Sequence, residues 1–376
     1  MTSPDAGTNA GIGTMPLIGI VGDDVPRQLV LAAGAVPRRL FGSWHEPVSA
    51  EAAELLGTVD AAAGRILDDL LSGWHDDLAG LLVCHDSQAD LRIFYVLRIL
   101  AQRGRLPFPV HLVDAPRLDS PAARRFVGKQ YARLLEFCEQ VTGRRADVGS
   151  LRRAAEQELA LGSALETMRE RRRNGGCTGA EALRAYCAAA TMSPEEAVAE
   201  VSGAGAAVAP GATPVHVTGS NHPDAGLYDA LERTGDLVVV GEDHDTGDTA
   251  WLGVAVDGTE TGEVIDALAA AHLARPAAAT GGLAAARAAY TATCAERTHA
   301  RAAIALVREH DDAPTWDLAH QRLALDRLGV SIVTRTRIRP DEDIAALARE
   351  SAAEVVAVLA SPSVGPSVGP AGGTDS

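Results

Sequence analysis

Residues 80–97, GLLVCHDSQADLRIFYVL, place Cys84 and His85 at the end of a short apolar run, with Asp86 where a helix should start. In parallel α/β sheets, ligands bind at the carboxyl ends of strands. Cys84 therefore has three readings: a metal ligand, a nucleophile, or a small residue filling space. A nucleophile needs a base within hydrogen-bond reach, and His85 would point to the opposite side if the strand continued. Asp23 and Asp24 follow another apolar run, where they either face a pocket or cap the helix beginning near Val25-Pro26. GEDHDTGD at 241–248 gathers Glu242, Asp243, His244, Asp245 and Asp248. It reads either as a divalent-cation site, although it matches no calcium-loop spacing, or as a solvated acidic loop that shapes a pocket. Gly219-Ser220-Asn221 reads either as a turn able to hold an anion on backbone N–H groups or as an ordinary strand-to-helix turn. His310-Asp311-Asp312 repeats the His85-Asp86 pattern after a later strand. No G-x-G-x-x-G follows a strand, and there is no G-x-x-x-x-G-K-[ST], so the common nucleotide fingerprints are missing. GIGTMPLIG at 11–19 precedes its strand and fails the same test.

These residues need strands to end on. Apolar runs at 17–21, 36–41, 80–84 and 109–113 alternate with helical patterns at 25–33, 50–71 and 121–141. That alternation indicates βαβ units and a parallel sheet. Asp119-Ser120-Pro121 suits a helix start. A second set of runs, 214–218, 236–241, 302–307 and 330–334, has the same rhythm. The spacing predicts a first α/β domain over 15–150, a helical segment over 151–211 and a second α/β domain over 212–360. Ser193-Pro194-Glu195-Glu196 is a strong helix cap inside the helical segment. The Gly/Ser/Pro/Thr-rich stretches 1–14 and 361–376, the latter with a tandem SVGP, are expected to be disordered tails. Two similar sheets facing each other would bring both sets of strand ends to one cleft.

The bulk numbers suit that plan. A chain of 376 residues can bury two cores, and 47% hydrophobic with 22% charged residues is an ordinary globular balance. A net charge of −16 argues against nucleic acid or an anionic membrane as partner. The run Arg171-Arg172-Arg173 is too short to change that. Lys129 is the only lysine, which reads as a genomic composition bias. No stretch reads as a secretory signal or a membrane span. The five cysteines are odd in number and widely spaced, so disulfides are not expected and a cytoplasmic location follows.

Several segments together resemble the 2-hydroxyacyl-CoA dehydratase family, which includes the 2-hydroxyglutaryl-CoA dehydratase D-component and the small benzoyl-CoA reductase subunits. They are VPRQLVLAAGAVPRRLFG (25–42), LAGLLVCHDSQADLRIFYVL (78–97), PVHLVDAPRLDSPAARRFVGKQYARLLEFCEQVTGRR (109–145) and VHVTGSNHPDAGLYDALERTGDLVVVGEDHDTGD (215–248). The resemblance implies two flavodoxin-like domains with a helical part, in a complex of two homologous subunits. It further implies a 4Fe–4S cluster held by three cysteines beside a CoA-thioester pocket, and a separate ATP-hydrolysing activator that supplies one electron. The reaction so implied is radical dehydration of a 2-hydroxyacyl-CoA, the redox chemistry belonging to the cofactor.

The chain departs from that pattern at the cluster. Cys84 stands at the family's second cysteine, but the first position falls near Val59-Asp60 and the third at Asp311, with His310 beside it. The pocket candidates are Asp23, Asp24, Asp86, Ser220, Asn221, Glu242 and His244. A carboxylate at 23 or 24 would repel an enolate or ketyl anion. A divergent, cluster-poor subunit supporting a cluster-bearing homologue is the first expectation. The alternative is an iron–sulfur-free homologue acting on another acyl-CoA or small molecule, or serving as a binding protein. A third is an unusual cluster on Cys84, Asp60 and Asp311 or His310, although thiolates are the usual ligands.

Overall fold

Strands that are apolar on both faces must be covered on both faces, and the molecule follows from that requirement. The computed structural model describes residues 15–118, 120–250, 254–255, 258–277 and 281–360. Asp119 and both terminal stretches lie outside the described residues.

The first sheet contains β1 (Leu17–Val21), β2 (Val36–Arg39), β3 (Leu78–Cys84) and β4 (Val110–Val113), in the order β2-β1-β3-β4. The second contains β5 (Thr213–Gly219), β6 (Leu237–Glu242), β7 (Ala302–Arg308) and β8 (Ser331–Ile338), in the order β6-β5-β7-β8. Every pairing is parallel, so both sheets share one topology. These are two flavodoxin-like α/β units. β2 ends at Arg39, short of the expected 41, and Arg39 itself enters the interior.

The helices are α1 (Arg27–Ala32), α2 (Ala50–Leu56), α3 (Ala61–Leu71), α4 (Gln88–Gln102), α5 (Pro121–Thr142), α6 (Val148–Arg173), α7 (Gly179–Thr191), α8 (Pro194–Gly203), α9 (Gly226–Glu232), α10 (Thr261–Leu273), α11 (Ala284–Arg297), α12 (Asp312–Asp326) and α13 (Ile344–Ala360). The helical pattern at 50–71 is two helices, because Gly57 takes a left-handed φ of 67° and closes α2. Ser120 caps α5, with Pro121 in the first turn, and Ser193 with Glu196 forms a capping box on α8.

Ile18, Ile20, Leu82 and Val113 face one core with α1 and α5, and Leu81 and Val83 face another with α3 and α4. Val215, Val217, Ile304 and Leu306 pack on α9 and α13. The halves also exchange parts. α10 follows β6 in sequence, yet its Val264, Ile265, Leu268 and Ala269 complete the first core against α5. In return Trp44 and Ala62 enter the second core. α6 packs on α1 while α7 touches β2, β6 and α9, so the helical segment spans both sheets.

Gly219 ends β5 with a φ of +110°, and a Cβ there would stand 2.3 Å from the carbonyl oxygen of Leu306 on β7. Gly57 has a similar backbone sign with open space around it. Gly219→Ala is therefore expected to lower unfolding free energy by more than about 3 kcal/mol, against about 1 kcal/mol for Gly57→Ala. Urea unfolding of the two variants checks the difference.

Candidate functional site

The carboxyl ends of both sheets converge on one cavity of about 160 Å³. The first sheet contributes Gly22 after β1, Arg39 at the end of β2, and the β3–α4 turn with Asp86, Ser87 and Asp90. The second contributes Gly219 and Asn221 after β5, His244 and Asp245 after β6, Arg308 at the end of β7 and Asp311 before α12. Asp60, just before α3, closes the ring. Gly22 is required at its position: with φ at +94°, a Cβ would come within 2.4 Å of the Asp86 carboxyl and 2.6 Å of Cys84 Cβ.

Arg308 organises one side. Its Nε and Nη2 donate to the two Asp60 oxygens at 2.9 and 2.8 Å, a bidentate pair across the two halves. Nη2 also donates to Asn221 Oδ1 at 3.0 Å and Nη1 to the Asn221 carbonyl. Asp311 Oδ2 lies 3.9 Å from the guanidinium and accepts from Ser220 Oγ at 2.6 Å, while Ser220 Oγ accepts from the Arg308 N–H at 3.0 Å. Burial raises the Asp311 carboxyl to about 6, and the nearby Arg308 charge only partly opposes it.

Arg39 organises the other side. It donates to Asp245 Oδ2 at 2.8 Å and to the Asp245 carbonyl at 2.9 Å, and lies 3.5 Å from Asp23. Arg39 and a bond from Asn221 outweigh the burial of Asp245 and hold its carboxyl down at about 2. Asp86 lacks such a partner. One of its oxygens accepts from the Asp23 N–H at 2.7 Å and Oδ1 accepts from nothing. Burial, then the neighbouring Asp24 and Asp90 charges, push it well above the usual carboxylate range. Asp90 sits in the first turn of α4, where the helix dipole favours an anion, and accepts from Ser87 Oγ at 2.6 Å. Burial still raises it to about 6.

The acidic loop is not solvated as expected. Glu242 and Asp243 are fully buried, and His244 is 4% exposed. Each carboxylate meets an arginine from another element. Glu242 takes Arg172 of α6 at 3.0 and 2.7 Å, Asp243 takes Arg287 of α11, Asp245 takes Arg39, and Asp248 takes Arg169 at 3.1 Å. Glu242 thus anchors the loop and does not reach the cavity. Asp23 and Asp24 do not cap α1, whose flanking residue is Pro26 with no side-chain cap. They bind Arg275, and Asp24 also binds Arg117 at 2.6 Å. The His244 ring keeps its Nε2 on Tyr228 Oη at 2.9 Å and is held neutral, its pKa lowered by burial.

Cys84 is fully buried and does not line the cavity; it packs with Ile20, Leu82 and Tyr131. Burial, and after it the charges of Asp86 and Asp24, raise its thiol well above its ordinary value. His85 is exposed and lies 3.3 Å from Asp114. His310 is exposed on a left-handed backbone, beside Glu309 at 3.9 Å. Asp60 and Asp311 do meet in the cavity, but with a guanidinium between them. A cationic side chain held by two of the three positions, and a protonated thiol sealed behind the third, do not fit an iron–sulfur cluster. Among the described residues no three His, Cys, Asp or Glu side chains converge as a metal site.

Arg308, Arg39 and Asp90 were not singled out from sequence. An arginine closing the apolar strand AAIALV was the available signal, since a buried cation implies a buried acid. Asp90 was hidden by its spacing from Ser87, which reads as a helix cap.

A doubly repeated parallel α/β fold with its cavity between two sets of strand ends defines the class. The family described as 2-hydroxyglutaryl-CoA dehydratase, D-component, matches residues 24–334, and the chain belongs to it. No curated protein matches the chain.

Arg308→Met strands Asp60 in a half-buried site and is expected to cost about 3–5 kcal/mol, with Asp60→Asn in the same chain restoring about half of that. A double-mutant cycle by denaturant unfolding checks it. Asp90 is harder to ionise folded than unfolded, so its protonated form contributes stability below about pH 4 that is lost as pH rises through about 6. Asp90→Asn should therefore be more stable than the parent by on the order of 1–2 kcal/mol near pH 8, the gain vanishing near pH 4. Unfolding curves at the two pH values read this directly.

Proposed function

We propose that this chain is a cluster-free subunit of a 2-hydroxyacyl-CoA dehydratase-type complex, working beside a homologous subunit that carries the cluster. Family membership supports the complex, and the Arg308–Asp60 pair supports the cluster-free state. Arg308 lies between Asp60 and Asp311, two of the positions that would have to supply ligands. The chain's part is then to form one face of the complex, to shape the acyl-thioester pocket from its own side, and to leave one-electron chemistry and the ATP-dependent activator to the partner. A cytoplasmic setting suits five unpaired cysteines.

The iron–sulfur-free alternative draws on Asp86 and Asp90. Neither carboxyl has a cationic partner, so in their ionised forms they disfavour a developing thioester ketyl or enolate anion at this site. The cavity of this chain is then not where the acyl group is reduced.

The test is anaerobic reconstitution with iron and sulfide, followed by co-expression with a homologue bearing all three cysteines. The expected result is no thiolate-to-iron absorption from this chain alone and co-elution with the homologue. A stable chromophore abolished by Cys84→Ala would overturn the cluster-free reading, and failure to co-elute would overturn the complex.

A further inference from the structure

We infer that the inter-sheet cavity binds a small organic cation, its ammonium group seated against Asp86 and Asp90. Five carboxyl groups line this cavity, Asp60, Asp86, Asp90, Asp245 and Asp311, against the two guanidinium groups of Arg39 and Arg308. Both guanidinium groups are already occupied, Arg39 by Asp245 and Arg308 by Asp60 and Asn221. Asp86 and Asp90 are left without an ion-pair partner, and Asp86 Oδ1 has no hydrogen bond at all. An unpaired carboxylate in a half-closed site is unfavourable, and a bound cation removes the penalty.

A second feature points the same way from the opposite sheet. His244 lines the same cavity, is 4% exposed, and leaves Nδ1 without a partner. In the tautomer that donates through Nε2 to Tyr228 Oη, the neutral imidazole adds an acceptor from the second sheet to the two carboxyls of the first. The cavity, at about 160 Å³, is of the size that holds a benzene-sized guest, and Leu40, Phe41 and Ile66 supply an apolar wall for a short carbon chain. The inference stands whether or not the chain joins a dehydratase complex.

Three probes of one shape and different charge test it: n-butylammonium, 1-butanol and n-butyrate, titrated calorimetrically into the full chain. The expected result is binding of n-butylammonium at least about tenfold tighter than either of the others, with Asp86→Asn and Asp90→Asn each weakening it about tenfold. Circular dichroism confirms that the variants are folded, and Asp90→Asn remains informative if Asp86→Asn is not. Butanol or butyrate binding as well as n-butylammonium would overturn the inference. So would ammonium binding unchanged in Asp90→Asn, because that outcome reports only the general attraction of a chain with net charge −16. Neither outcome touches the co-elution and reconstitution readouts, so the two readings fail separately.

Discussion

Charge compensation at the seam between the two sheets is the constraint on which the rest of this structure depends. Strand ends from both halves meet there, and the turns that follow them are rich in aspartate and glutamate. Removing a carboxylate from water is unfavourable by several kcal/mol unless a cation with matching geometry accompanies it. The chain meets this with arginines drawn from distant elements: α6 for Glu242 and Asp248, α11 for Asp243, β2 for Asp245 and β7 for Asp60. Because the Arg39–Asp245 and Arg308–Asp60 pairs run from one half to the other, neutralising the seam also fixes how the halves sit on each other. The near-absence of lysine takes on a structural sense in this setting. A planar guanidinium with several fixed donors can satisfy both oxygens of a buried carboxylate, which a single ammonium cannot.

Much of the architecture was legible from local pattern. Runs such as LLVC and AAIALV are apolar at every position, which only a doubly covered parallel strand tolerates, and all of the strand segments read that way are present. The caps at Ser120 and Ser193 were equally readable, since a cap is settled within four residues. The acidic loop was misread for the opposite reason. Nothing within GEDHDTGD reveals that its partners lie from about forty to two hundred residues away, so its charges looked solvated. Cys84 shows a third kind of outcome. Its place at a strand end was right, but the alternation of β3 turns it with Leu82 into the core, and Gly22 lets the neighbouring backbone pack close against it.

The chain carries the family fold, and at the strand ends of its cavity it places ion pairs. Gly219 and Gly22 hold the backbones close at matching strand ends of the two sheets. The side chains on those turns now carry opposite charges that pair with one another. That pairing ties the two halves together across the seam.

The exchange of elements between the halves has a consequence for how the chain folds as it is made. The face of α5 that belongs to the first core is covered by α10, which lies after β6 in sequence. A nascent first half therefore emerges with part of its apolar interior open and stays so until more than two-thirds of the polypeptide has left the ribosome. Chains usually secure an N-terminal unit first and then add the next. Here the first core must wait for a helix that is made with the second half, so the interior of one half is completed only by the synthesis of the other.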